Sequence, residues 1–284
     1  MTARAPRALV WGALATVYVV WSSTYLGIRV VVRSMPALLS AGARFALAGL
    51  LLLAIDRARG AILPDRRAWL RAAPAGVLLF AGGSGLVALA ERTAESGATA
   101  LACALAPVWA ALAGLFWGER PGARQWLGFA LGVAGVGTLS VGALPDRASA
   151  ILLLLAPLCW AAGTLVAKRA PSPASAQLVL GGLATCAIGA ARGESWPAHV
   201  PTSAWLAWVY LALVGSTLAY SAYLHLVRHA SVAVAMSYAY VNPVLAVLLG
   251  AALGDERAGP AVLLAAALVT AAVVLIVRPA RRAA

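Results

Sequence analysis

A chain of 284 residues with 63% hydrophobic and only 11% charged residues cannot fold as a water-soluble domain, because it has too little polar surface to cover so large an apolar interior. The formal charge of +13 would suit a nucleic-acid partner only if the cations formed a patch, and instead they fall in alternate loops between apolar runs. Lipid is therefore the solvent, and helices are expected rather than a barrel, since the runs are continuous and not alternating.

Taken in order, spans of bilayer length, about 17 to 25 residues, fall near 8–31, 37–55, 70–90, 96–117 and 122–142. A second set follows near 149–168, 175–191, 203–226, 231–253 and 259–277. The fourth and ninth are the clearest and the seventh, diluted by small residues, the weakest. Arg4 and Arg7 precede the first span, but its apolar core is too long for a signal peptide and no small-residue cleavage site follows, so a retained helix is expected.

The second set echoes the first. Trp21–Arg29 (WSSTYLGIR) returns as Trp160–Lys168 (WAAGTLVAK), Arg92-Thr93-Ala94 as Arg228-His229-Ala230, and Ala106–Leu139 as Asn242–Ile276. The chain divides into repeats 1–145 and 146–284. Five spans is an odd number, so the second repeat enters the membrane inverted, and the expected fold is all-α and polytopic, about ten transmembrane helices in two inverted five-helix repeats. With the amino terminus inside, fifteen Lys/Arg fall in inner loops and tails and six in outer loops, which puts both termini in the cytoplasm.

Aromatic residues sort by depth. Trp11, Trp69, Trp117, Trp126, Trp196 and Trp205 lie near span ends, as headgroup anchors do. Trp21, Tyr25, Trp109, Trp160, Tyr238 and Tyr240 lie near mid-span, where an N–H or O–H in hydrocarbon needs a partner or water, so they are candidates to line a wet cavity, joined by Thr24 and by Tyr220 and Tyr223 on the eighth span. Asn242, the only asparagine, precedes Pro243, whose counterpart is Pro107. Paired prolines in two repeats predict bent helices, with Asn242 capping the kink or contacting substrate.

Arg44 stands near mid-depth of the second span, a placement costing about 2.5 to 3.5 kcal/mol on insertion scales. Snorkelling, helix carbonyls, or a cavity where it binds a carboxylate would each offset that cost. Glu91 and Glu95 are the acids nearest membrane depth and are expected in the outer loop, pairing Arg92 or solvent; a buried one would be a proton site. His225 and His229 share a helix face without a third ligand, so no metal is expected, and Cys103, Cys159 and Cys186 have neither an oxidising loop nor metal spacing, so packing is expected of them. The Glu119-Arg120 and Glu256-Arg257 turns are expected to satisfy helix-end groups and brace the loop, with a gating ion pair as the alternative.

WSSTYLGIR, RFALAGLLLL from Arg44 to Leu53, SYAYVNPVLAVLLG and the GER/GDER turns resemble EamA-type permeases of the drug/metabolite transporter superfamily, closest to the YedA-like subgroup, with Ser22 in place of the usual glycine. The resemblance covers nearly the whole chain. It implies a bacterial inner-membrane carrier, ten helices in two inverted repeats, and export of amino acids or related metabolites. Because arginine belongs to that pattern across different cargoes, the resemblance favours a structural role for Arg44. No cofactor is implied; the expected partners are a small-molecule substrate and the bilayer, with no nucleic acid, and a monomer is the expected state. Cationic or aromatic drugs and nucleobases are the alternative cargo, and a flippase or channel the alternative class. An enzyme is disfavoured by the lack of HExxH, GxSxG or a buried acid cluster.

Overall fold

The computed structural model describes residues 6–94, 96–116, 118, 120–138, 146–252 and 260–277, and among these every regular element is helical. The first two spans are α1 (Arg7–Val32) and α2 (Ala37–Ala58). The third is α3 (Arg66–Gly76), a π-helical segment (Val77–Gly85) and α4 (Leu86–Ala90). The fourth is α5 (Ser96–Cys103) with α6 (Ala106–Leu115), and the fifth is α7 (Ala123–Gly137). The second repeat runs α8 (Arg147–Arg169), α9 (Ala174–Ala191), α10 (Thr202–Tyr210), a second π-helical segment (Leu211–Leu218) and α11 (Ala219–His229). It ends with α12 (Val232–Met236), α13 (Tyr238–Ala252) and α14 (Pro260–Val277).

The span limits follow local chemistry. Helices α1, α2, α9 and α10 start directly behind Pro6, Pro36, Pro173 and Pro201, whose fixed φ and missing N–H suit a helix start. Asp65, Asp146 and Ser231 cap α3, α8 and α12 through side-chain oxygens. The second span of each repeat ends in the same way: Gly60 (φ 78°) and Gly193 (φ 75°) take the left-handed conformation, and the next residue's N–H reaches back five residues, Ala61 to Asp56 and Glu194 to Gly189.

Two expectations change. The fourth and ninth spans, the clearest by hydropathy, are the ones that break: α6 begins afresh beside Pro107, and α12 stops at Ser237 before α13 carries Pro243 in its interior. The seventh, expected to be weakest, is an unbroken helix, because its small residues serve packing rather than lipid contact. α2 and α9 cross so closely that a Cβ on Gly182 would sit 2.4 Å from Ala46 N, and one on Gly42 would sit 2.6 Å from Gly182 O. α7 and α14 meet through Gly128 and Gly135 in the same manner. Around these two like-with-like seams α1 packs on α11 and α13 of the other repeat, and α8 packs on the first π segment, α4 and α6. That reciprocal pattern is the internal two-fold of an inverted repeat.

Candidate transport cavity

The crossing spans leave a cavity with about 160 Å³ open to the centres of water-sized spheres, lined from both repeats. Its wall runs from Trp21 and Asn242 at mid-depth to Val31 and Ala37 beside the turn joining α1 to α2, so it occupies the half of the bundle away from the start of α1. Both π segments contribute, through Gly83 and Ser84 in one and Leu211, Gly215 and Ser216 in the other. A π turn displaces carbonyls from the regular ladder, and the second uses one: Trp21 Nε1 donates to Gly215 O at 3.0 Å.

Aromatic rings form the floor. Trp21 lies 4.6 Å from Tyr238, 5.2 Å from Tyr223 and 5.7 Å from Trp160, centroid to centroid, mostly edge to face. The chain of rings continues through Tyr223, Tyr220, Phe80 and Phe45 to the Arg44 guanidinium, 4.4 Å above the Phe45 ring. Below this floor many polar atoms are paired, although Ser175 Oγ and His225 Nε2 are buried without a partner. Tyr18 and Ser237 hydroxyls share a hydrogen bond at 2.6 Å, Tyr223 and Thr164 one at 2.5 Å, and Tyr220 donates to Gln177, which donates to Ser172 Oγ. Lys168 Nζ donates to Ala230 O, tying the start of the ninth span to the end of the sixth. Asn242 belongs to the same layer: its side-chain amide donates to Tyr18 O and Tyr238 O at 3.2 Å and lies 3.3 Å from Ser22 Oγ.

Above the floor the pairing is incomplete. Arg44, only 8% exposed, lines the cavity and reaches no hydrogen-bond acceptor among the described residues. The Trp160 indole N–H sits on the side of the Tyr223 hydroxyl but meets no acceptor at bonding geometry. Glu91 is not a loop residue in solvent: it is half-buried, and its Oε2 is enclosed without a donor. The sequence placed it in the outer loop because it directly follows the apolar run, but the close approach of α2 and α8 to α4 covers the end of that span.

Of the expected site residues, Trp21, Thr24, Arg44, Trp160, Tyr220, Tyr238 and Asn242 line the cavity. Tyr223 lies beneath it. Tyr240 packs on Gly132 of α7, away from the cavity, and Trp109, itself partly buried, packs against a buried apolar cluster that includes Met236 and Leu165. Pro107 borders a separate, smaller pocket with Arg120 and Lys168. The Tyr25 side chain, Glu95, Trp117, Glu119 and the Glu256-Arg257 turn lie outside the described residues. Phe45, Phe80, Ser40, Ser84, Ser216 and Cys103 also line the cavity and were missed. A signal did exist for Phe45 and Phe80, since the chain has four phenylalanines and these two fall at mid-span.

The family profile described as "EamA-like transporter family" matches the chain twice, over residues 7–141 and 147–278. The chain is 39% identical over 274 residues to the protein named "Uncharacterized inner membrane transporter YedA" of Escherichia coli K12, covering 94% of this chain and 90% of the relative. The proteins of the same name from the O6:H1 and O157:H7 strains match equally. A solved crystal structure superposes with a TM-score of 0.78 at 22% identity, over 93% of this chain and 96% of the other, and shares the fold.

Proposed function

Because the chain belongs to the EamA-like transporter family and is a multi-pass inner-membrane transporter, we propose that it exports small zwitterionic metabolites, amino acids foremost, through the cavity between its repeats by alternating access. The observation that carries the cargo reading is Arg44: a guanidinium held at mid-span, facing a cavity, with no acceptor among the described residues. Leaving a buried charge unpaired is costly. A cargo carboxylate offers the two acceptors that a guanidinium fork takes. The aromatic floor supplies faces for an ammonium group and for an apolar or aromatic side chain.

Alternating access draws support from the unequal ends of the cavity. One end is lined to the α1–α2 turn and the other is shut by the Tyr18–Ser237 and Tyr223–Thr164 layer. Rocking of the repeats would break that layer and close the opposite end, with the breaks beside Pro107 and Ser237 as the bending points. With the basic loops read as cytoplasmic the open end faces outward, and the family resemblance supports export as the direction.

The test is counterflow in proteoliposomes, screened against amino acids, nucleobases, sugars and quaternary amines. Amino acids are expected to exchange, and Trp160→Ala or Asn242→Ala should slow exchange about tenfold while the protein stays folded. Exchange of quaternary amines alone would replace the cargo assignment with the cationic one.

A further inference from the structure

Five carboxylates fall among the described residues, and their oxygens are spent differently. Asp65 caps α3, Asp146 caps α8 and holds Thr93, and Glu194 accepts from the N–H groups of Leu38 and Leu39 at the start of α2. Asp56 stands at the far end of α2. Only Glu91 keeps a buried carboxylate oxygen with no donor. It is the first residue beyond the third span and lies one helical turn past Val87 and Ala88, which line the cavity.

The charges around it are few. Arg29 from α1 and Arg44 from α2 are the cations whose fields reach it. The π segment beside it carries no ionisable side chain. From α8 come Asp146, engaged as above, and the exposed Arg147; Arg92 beside it is exposed as well. The packing of α2 against α4 brings the Arg44 and Glu91 charges within reach of one another. A charged Glu91 therefore partly neutralises Arg44 across the gap and repels any second carboxylate brought to that guanidinium.

We propose that Glu91 acts as a positioning residue that works through Arg44: a proton on Glu91 leaves the Arg44 charge uncompensated, so that the cargo carboxylate binds tightly, and loss of that proton weakens binding and releases the cargo. This rests on the carboxylate cargo assigned above. The step balances simply, a proton from bulk water forming one O–H bond on the Glu91 carboxylate as the cargo's anionic group arrives, and returning to water as it leaves. Burial pushes the Glu91 carboxyl up to about 7, against the pull of Arg29 and Arg44, so the exchange falls where small pH changes shift it. Because cargo favours the protonated form, affinity is full below that value and falls as pH rises through it. A shift of one pKa unit between the cargo-free and cargo-bound forms corresponds to about tenfold in affinity.

The experiment is calorimetric titration of the purified protein with the amino acid that exchanges fastest, at pH 5.5 to 8.5 and in buffers of different ionisation enthalpy, which reads protons taken up on binding. Wild type should weaken about tenfold across that range and take up a fraction of a proton, most above pH 7. Glu91→Gln, which fixes the neutral form, should bind at every pH as wild type does in acid, and Glu91→Asp should restore a pH dependence. Binding with no proton uptake, or with proton release, in wild type overturns the proposal without any variant; release would mean that the cargo's ammonium pairs with Glu91. No binding by any amino acid removes the cargo assignment and this inference with it.

Discussion

The two ends of the proposed transport pathway use the same kinds of residue and differ in how many of their polar atoms are joined to one another. Toward the start of α1, Tyr18, Ser237, Tyr223, Thr164, Tyr220 and Gln177 are joined in hydrogen bonds under an aromatic floor. Toward the α1–α2 turn, Arg44 reaches no acceptor among the described residues and a Glu91 oxygen is enclosed without a donor. On the proposed mechanism the first is the closed gate and the second the cargo site. At the α2–α9 seam the two helices meet at backbone contact, the packing expected of a fixed scaffold.

The largest effect is expected at that seam. Gly182→Leu would drive side-chain atoms into the Ala46 and Gly42 backbone. Overpacking of this kind costs about 1 to 3 kcal/mol where neighbours can yield, and here backbone lies on the receiving side. Monodisperse yield in detergent should collapse; a normal yield would mean that the second spans separate freely and are not the fixed scaffold.

Next is Arg44→Leu, which sharpens the contrast between the two ends. If the guanidinium serves cargo rather than fold, transport should fall at least about a hundredfold, the range for losing a charge-assisted bidentate contact. Melting temperature should hold or rise, because an unpaired buried charge has gone. A fall in folded yield would restore the structural role that the family pattern suggested for this arginine.

Tyr18→Phe removes one hydrogen bond from the closed layer, worth about 1 kcal/mol. In a background without the three cysteines, a cysteine at Ala235 should react about fivefold faster with an impermeant thiol reagent applied from the inner side. An unchanged rate would show that the layer does not hold the gate.

The smallest effect is at the α8 cap. Hydrogen bonds from Ser149 and Thr93 hold the Asp146 carboxyl down at about 2, below the ordinary value near 3.9. Its contribution to stability is therefore present above about pH 4 and lost as pH falls toward 2. Asp146→Ala should lower the melting temperature slightly and by a constant amount from pH 5 to 8, and the difference should vanish in acid; a difference that varies between pH 5 and 8 would point to another titrating group.

Which features were legible in the sequence follows from the range of the forces that made them. The helical spans, the presence of two repeats and the depth of Trp21, Trp160 and Asn242 are recorded in hydropathy and in the internal echo, and the cavity gathers those residues. The two π segments were not visible, since their residues read as ordinary apolar helix and the distortion arises where the third span packs on α2, α8 and α9. Tyr240 was misjudged for a related reason: its depth equals that of Tyr238, but two positions along a helix turn it to the opposite side, onto Gly132. Glu91 was read as solvated because distance past an apolar run does not reveal what covers the span end.

The central claim is that the unpaired groups of the cavity are the cargo's contacts. It is tested most directly by calorimetric binding of one amino acid and of its decarboxylated amine to the wild-type protein under identical conditions. The account predicts that the amino acid binds and that the amine binds at least about a hundredfold more weakly, since Arg44 would stay buried and unpaired. Equal binding of the two would contradict it and leave Arg44 without a role in recognition.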